Sequence, residues 1–245
     1  MSCGQTGCEQ VRRGVFITFE GCEGSGKTTQ LRILAERLES AGLATCRVRE
    51  PGGSTIGEAI RAILLDPANK QLDMVAELLL YEASRAQHVA EVISPALEAG
   101  KIVLCDRYTD SSVAYQGYGR GIPLADVEAL NRVATRGLTP DRTIVLDIAP
   151  DLGIERAAER AAEHALGRAV EHAVEHSTGA FADRIESEGL AFHARVRKGF
   201  LVISHAEPDR VRVIDASGSV EAVSAQVTRA LSDIEALAAV LGGRH

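Results

Sequence analysis

The stretch VFITFEGCEGSGKTT, Val15 to Thr29, decides the fold. Val15 to Glu20 is rich in β-branched and aromatic residues and stops at a glycine, which predicts a buried strand. Gly21-Cys22-Glu23-Gly24-Ser25-Gly26-Lys27-Thr28 then matches the pattern G-x-x-x-x-G-K-[ST]. After it, Leu31, Leu34 and Leu38 fall at helical spacing, and Gly42 supplies a stop. Strand, glycine-rich turn and amphipathic helix in that order is the context a phosphate-binding loop requires. Its glycines let the backbone curl so that N–H groups converge on phosphate oxygens. The helix N-terminus near Lys27 adds its positive end. Lys27 then reaches the β and γ phosphates of a nucleotide, and the Thr28 hydroxyl is placed to ligate Mg²⁺.

Working outward, ATCRVRE (Ala44 to Glu50) reads as a second strand ending in the turn cluster Pro51-Gly52-Gly53. Ser54 is placed to cap a helix running to Leu65. A longer helical stretch is expected from about Asp73 to Ala99, interrupted near Pro95. KIVLCDRY carries a third strand, apolar from Ile102 to Cys105, as suits burial on both faces. A helix over about Leu124 to Arg136, strands at Arg142 to Pro150 and Arg210 to Ser217, and one amphipathic helix from Val220 to Leu241 complete the pattern. Strands alternating with helices predict an α/β fold: a parallel sheet with helices on both faces. Ligands then collect at the carboxyl ends of the strands.

Composition narrows the function. The chain has 245 residues, 45% hydrophobic and 25% charged, which suits a globular α/β domain and excludes a rod or a collagenous repeat. Its formal net charge of −7 argues against a general nucleic-acid binder, whose affinity comes from neutralising phosphates. No apolar run approaches the ~20 residues of a membrane span, and MSCGQTGCEQVRRG lacks a signal-peptide core. A cytoplasmic protein is expected, and the odd count of 5 cysteines fits reduced thiols there. Cys3 and Cys8 have no second pair at metal-ligand spacing. Residues 1–13 read as an N-terminal extension and 14–245 as one P-loop domain. Ile154 to Arg184 departs from the alternation. It is alanine-rich and charged, and reads as helix, bend and helix projecting from the sheet. Its His164, His172 and His176 read as a solvated helical face.

The motifs FITFEGCEGSGKTTQ, REPGG, LLLYEASRAQH, DRYTDSSVAYQGYGRG, PDRTIVLDIAP and DRIE, in this order from about Phe16 to Asp215, resemble bacterial thymidylate kinases. The resemblance implies a P-loop nucleoside monophosphate kinase fold with five parallel strands. It implies transfer of the ATP γ-phosphate to dTMP with Mg²⁺, in a homodimer.

On the residues themselves, Asp106 and Arg107 stand where the third strand ends. An acid there can hold Mg²⁺ directly or through water, and an arginine can clamp the acceptor phosphate. The resemblance assigns Tyr81 to stacking on thymine and Arg85 to its carbonyl. It sets Ser112 at the base edge, Tyr115 near C2′ of the deoxyribose, and Gln116 beside them in the same loop. Glu23, Glu50 and Pro51 join this acceptor set. Gly21 to Thr29 make up the donor site: Gly21, Cys22, Glu23, Gly24, Ser25, Gly26, Lys27, Thr28 and Thr29. Asp215 lies beside adenine by the same resemblance. Thr28 and Asp106 are the metal candidates.

Glu23 with no basic residue before Lys27 resembles the family variant whose transition-state arginine comes from a lid. Arg156 and Arg160 match the opening of that lid and Arg184 its close. The sequence departs from the pattern at Ala158, where the family often has arginine, and in an extra stretch from about Glu163 to Gly179. Which arginine acts is left open.

Overall fold

The computed structural model describes residues 13–171, 184–185 and 188–242, without the side chains of 160, 161 and 163–171. Five strands form one sheet: β1 (Phe16–Glu20), β2 (Thr45–Arg49), β3 (Ile102–Asp106), β4 (Arg142–Asp147) and β5 (Val211–Asp215). Every pairing is parallel, in the order β2-β3-β1-β4-β5. β1 is central because it is apolar on both faces. Ile17 and Phe19 pack on one side with Leu34, Leu38, Ile144 and Leu146, and Phe16 on the other with Val89, Ile93, Val103 and Tyr108. β2 lies at the edge and is only half-buried.

The helices are α1 (Lys27–Ser40), α2 (Thr55–Leu65), α3 (Met74–His88), α4 (Ser94–Glu98), α5 (Thr109–Ser112), α6 (Leu124–Thr135), α7 (Pro150–Glu171), α8 (Leu190–Ala206), α9 (Val220–Leu231) and α10 (Glu235–Leu241). Capping follows the sequence. The Ser54 side chain accepts from the N–H of Gly57, and Asp73 accepts from those of Val75 and Ala76. At α1 the residue before the helix is Gly26, and no side chain caps the first turn. Its N–H groups therefore remain available to a phosphate.

Four departures from the sequence reading have physical causes. The rod from Met74 to Glu98 does not break near Pro95. Instead the turn Val89–Ile93 widens to π-helical geometry just before it. Proline in a helix lacks an N–H and crowds the carbonyl four residues back, and a wider turn relieves both. The segment expected to be a loop after β3 is helical, α5 running into a second π-helical stretch, Val113–Gly119. The closing helix is two helices. It breaks at Ser232 to Ile234, where Asp233 pairs with Arg142 at 3.1 Å and Leu237 and Leu241 turn back into the core. The sequence reading assigned no helix to α8, which buries Phe192, Val196 and Phe200 beside the P-loop Cys22. Of the projecting segment, α7 is helical to Glu171, whereas His172 and His176 lie outside the described residues.

Candidate active site

A single cleft at the carboxyl ends of β1, β2 and β3 brings together Glu23, Gly24, Gly26, Lys27 and Thr28 of the loop with Asp106 and Arg107. Glu50 and Pro51 line it from β2, Tyr81 and Arg85 from α3, and Ser112, Tyr115 and Gln116 from α5 and the π-helical stretch. Parallel register explains the meeting: Phe19 pairs with Asp106, and the Arg107 N–H continues the ladder to the Phe19 carbonyl at 2.9 Å.

The loop is built around bare backbone. Gly24 has φ of +70°, and a Cβ there would meet the Gly153 carbonyl oxygen at 1.9 Å. Lys27 Nζ, buried, donates to the carbonyls of Gly21 at 3.1 Å and Cys22 at 2.8 Å. Burial and the nearby Arg107 pull its pKa down. Thr28 Oγ1 donates to Asp106 Oδ2 at 2.6 Å. Two hard oxygens at the loop's mouth fit Mg²⁺, which takes one or two protein ligands and completes its shell with phosphate and water. No cluster of three metal-binding side chains exists among the described residues, so these two would be the protein's share.

Glu23 and Arg107 form an ion pair across the cleft, and Tyr115 Oη donates to Glu23 at 3.3 Å. Burial raises the Glu23 carboxyl, but Arg107 and Lys27 outweigh it and hold the group at about 2. The Arg107 guanidinium also lies 5.0 Å from the Tyr115 ring centroid. Its backbone φ is +74°, a strained value for a residue with a Cβ. Burial lifts the Cys22 thiol to about 11, which disfavours its thiolate.

Beneath the cleft, Arg85 is almost fully buried and meets two acids, Glu50 at 2.8 Å and Glu82 at 2.7 Å. It also donates to Ser112 Oγ, Asn131 Oδ1 and the Tyr108 carbonyl. Nη2 donates to the Tyr108 carbonyl at 3.0 Å and carries a second N–H besides. Gln116 Nε2 donates to Glu77 at 2.9 Å.

Other predicted residues lie elsewhere. Gly21, Cys22, Ser25 and Thr29 belong to the loop and α1 but do not line the cleft. Asp215 is exposed and accepts from its own loop at the Ser217 N–H. Arg156 donates to the carbonyls of Ala216 at 2.8 Å and Ser217 at 3.0 Å, beside that loop. Arg184 is buried against Glu77 at 2.6 Å and the Leu64 carbonyl at 3.0 Å. The structure brings neither Arg156 nor Arg184 over the P-loop, and the Arg160 side chain lies outside the described set. Sequence reasoning missed Arg61, Leu65, Ser111 and Ile185 in the lining, and Glu82 and Asn131 behind it. Only Glu82 had a signal: an acid three residues before Arg85 on one helix face.

The model of the family described as thymidylate kinase matches residues 19–227. The chain belongs to the thymidylate kinase family. Thymidylate kinase of Solidesulfovibrio magneticus is 51% identical over 213 residues, which are 87% of this chain and 96% of that one. That of Citrifermentans bemidjiense is 49% identical over 218 residues, 89% and 91% of the two chains. The crystal structure of thymidylate kinase from Ehrlichia chaffeensis superposes with a TM-score of 0.67 at 33% identity, covering 90% of this chain and 99% of that one. As a member of this family, the chain is a phosphotransferase with the five-stranded P-loop kinase architecture.

Proposed function

We propose that this chain transfers the γ-phosphate of ATP to dTMP, giving dTDP and ADP for dTTP synthesis. The observation that carries the reading is one cleft shared by two kinds of group. Lys27, Thr28 and Asp106 suit a nucleoside triphosphate at one end, and Tyr81, Arg85, Ser112 and Tyr115 suit a thymine deoxynucleotide at the other. Arg107 and Glu23 stand between them.

In this reading the triphosphate takes over the bonds Lys27 now makes to loop carbonyls. Thr28 and Asp106 would hold Mg²⁺, which would supply positive charge to the triphosphate. Arg107 leaves part of its pairing with Glu23 to hold the acceptor phosphate in line. Glu23, ionised throughout the neutral range, balances the cations around it and accepts from the sugar 3′-hydroxyl. Arg85 offers its remaining N–H to a thymine carbonyl, and the Tyr115 ring closes over C2′, where a ribose hydroxyl has no room.

A transition-state arginine from the lid follows from the acidic loop. Arg156, which opens the lid on α7, and Arg160 are the candidates. Arg184, buried and paired with Glu77, serves better as the anchor of the lid's far end. A homodimer through α2 and α3 is supported by Ile56, Ile63, Met74, Val75 and Leu79, all about half exposed. Large apolar side chains gathered on neighbouring helices suit an interface. Among the described residues no helix is long and apolar enough to cross a membrane, and Cys22, Cys46 and Cys105 are free thiols, which fits the cytoplasm.

The test is ADP release with ATP, Mg²⁺ and each of dTMP, dUMP, dCMP, the ribose form of TMP, and thymidine. Fast turnover with dTMP is expected, with dUMP slower because one methyl contact is worth about 1–3 kcal/mol. ATP-binding protein that turns over none of them would overturn the proposal.

A further inference from the structure

Glu20, the last residue of β1, has no place in the reading above, yet it is a fully buried acid directly beneath the P-loop. Burying a carboxyl is costly, and a position chosen for packing alone would be apolar. Both its oxygens are used. Oε1 accepts the Tyr108 N–H at 2.7 Å and Oε2 faces Ser111 Oγ at 2.6 Å. Ser111 Oγ in turn meets Arg107 Nη1 at 3.4 Å. The two contacts therefore bracket Arg107, one on the peptide that follows it and one on its guanidinium.

Arg107 needs such support. Its φ of +74° is costly for a residue with a Cβ and persists only when neighbours fix it. The Phe19 carbonyl holds the N–H before the strained unit, and Glu20 holds the N–H after it. Phe19 and Glu20 are adjacent on β1, so the central strand grips both ends of the strained arginine. Asp110, on the same side, is held separately by Arg210 at 2.7 and 2.9 Å and by Thr143 at 3.1 Å. Burial and Asp110 push Glu20 up to about 8, against the opposing pull of Ser111 and Arg107.

We propose that Glu20 is a positioning residue for the acceptor phosphate, acting through the Tyr108 N–H and Ser111 to aim Arg107. The proposal rests on Arg107 holding that phosphate.

The test is calorimetric titration of dTMP and of ATP, separately, into wild type, Glu20→Met, Ser111→Ala, Arg107→Ala and the double variant Glu20→Met/Arg107→Ala. A carboxyl raised to about 8 is largely neutral at pH 7, where glutamine would keep both hydrogen bonds, whereas methionine keeps most of the volume and removes them. Glu20→Met should weaken dTMP about tenfold, as loss of two buried hydrogen bonds implies, and leave ATP within about twofold. Ser111→Ala should weaken dTMP by a smaller factor in the same selective way. In the Arg107→Ala background Glu20→Met should add less than about twofold, because a residue acting through another has nothing left to aim. Equal losses for dTMP and ATP, or factors that multiply in the double variant, would overturn the proposal alone. An Arg107→Ala variant that binds dTMP normally would instead overturn the reading of Arg107 and the proposal with it. If Glu20→Met does not fold, Ser111→Ala with and without Arg107→Ala decides by the same comparison.

Discussion

The charge on Glu23 should be measurable as stability. Its carboxyl, ordinarily near 4.5, is raised by burial but held at about 2 by Arg107, Lys27 and His193. A folded-state value below the unfolded one contributes stability in full above the unfolded pKa. That contribution is lost as pH falls through the folded value, here between about pH 5 and pH 2. At about 1.4 kcal/mol per unit the shift corresponds to about 3 kcal/mol. The side chain is 24% exposed, and solvent screening brings this to about 2 kcal/mol. Glu23→Gln removes the titration but keeps the size. Urea unfolding of both proteins at steps from pH 7 down to pH 2 then isolates this group from the other carboxylates. The wild type should lead at neutral pH, and the gap should close by about 2 kcal/mol across that window. A gap that stays constant or widens toward pH 2 would refute the argument that Arg107 and Lys27 hold Glu23 ionised.

Gly24→Ala places a Cβ on the Gly153 carbonyl at a positive φ, so ATP affinity in a calorimetric titration should fall at least about 100-fold with a clear drop in melting temperature. Asp106→Asn leaves Thr28 a neutral partner, and turnover should fall about 10–100-fold while the Mg²⁺ concentration for half-maximal rate rises. Leu79→Glu sets a charge in the exposed apolar face of α3, and if the proposed homodimer forms there, sedimentation should show dimer for the wild type and monomer for the variant, without loss of helical signal.

Much of this was legible in the sequence because the decisive signals are local. VFITFEGCEGSGKTT carries its own strand, turn and helix start, and Ser54 announces its helix by capping chemistry. What was missed depends on tertiary partners. Nothing near Pro95 says whether a helix breaks or widens. The division between α9 and α10 follows from Asp233 meeting Arg142, 91 residues away. α8 was readable, since Phe192, Val196, Phe200 and Ile203 keep helical spacing, but the charged segment before it drew the reading away. In the site, Arg85 was identified but its setting was not: Glu50, Ser112 and Asn131 converge on it from three other places in the chain. Arg184 matched a lid motif, whereas its buried partner Glu77 carried no signal of that pairing.

The central claim is that donor and acceptor share one cleft with Arg107 between them. A compound joining adenosine and thymidine 5′ to 5′ through a polyphosphate chain tests it most directly, by steady-state inhibition against each substrate in turn. The account predicts inhibition competitive with both ATP and dTMP, and binding tighter than either nucleotide alone. Competition with ATP only would contradict it, because the thymidine end would then have found no site within reach of the P-loop.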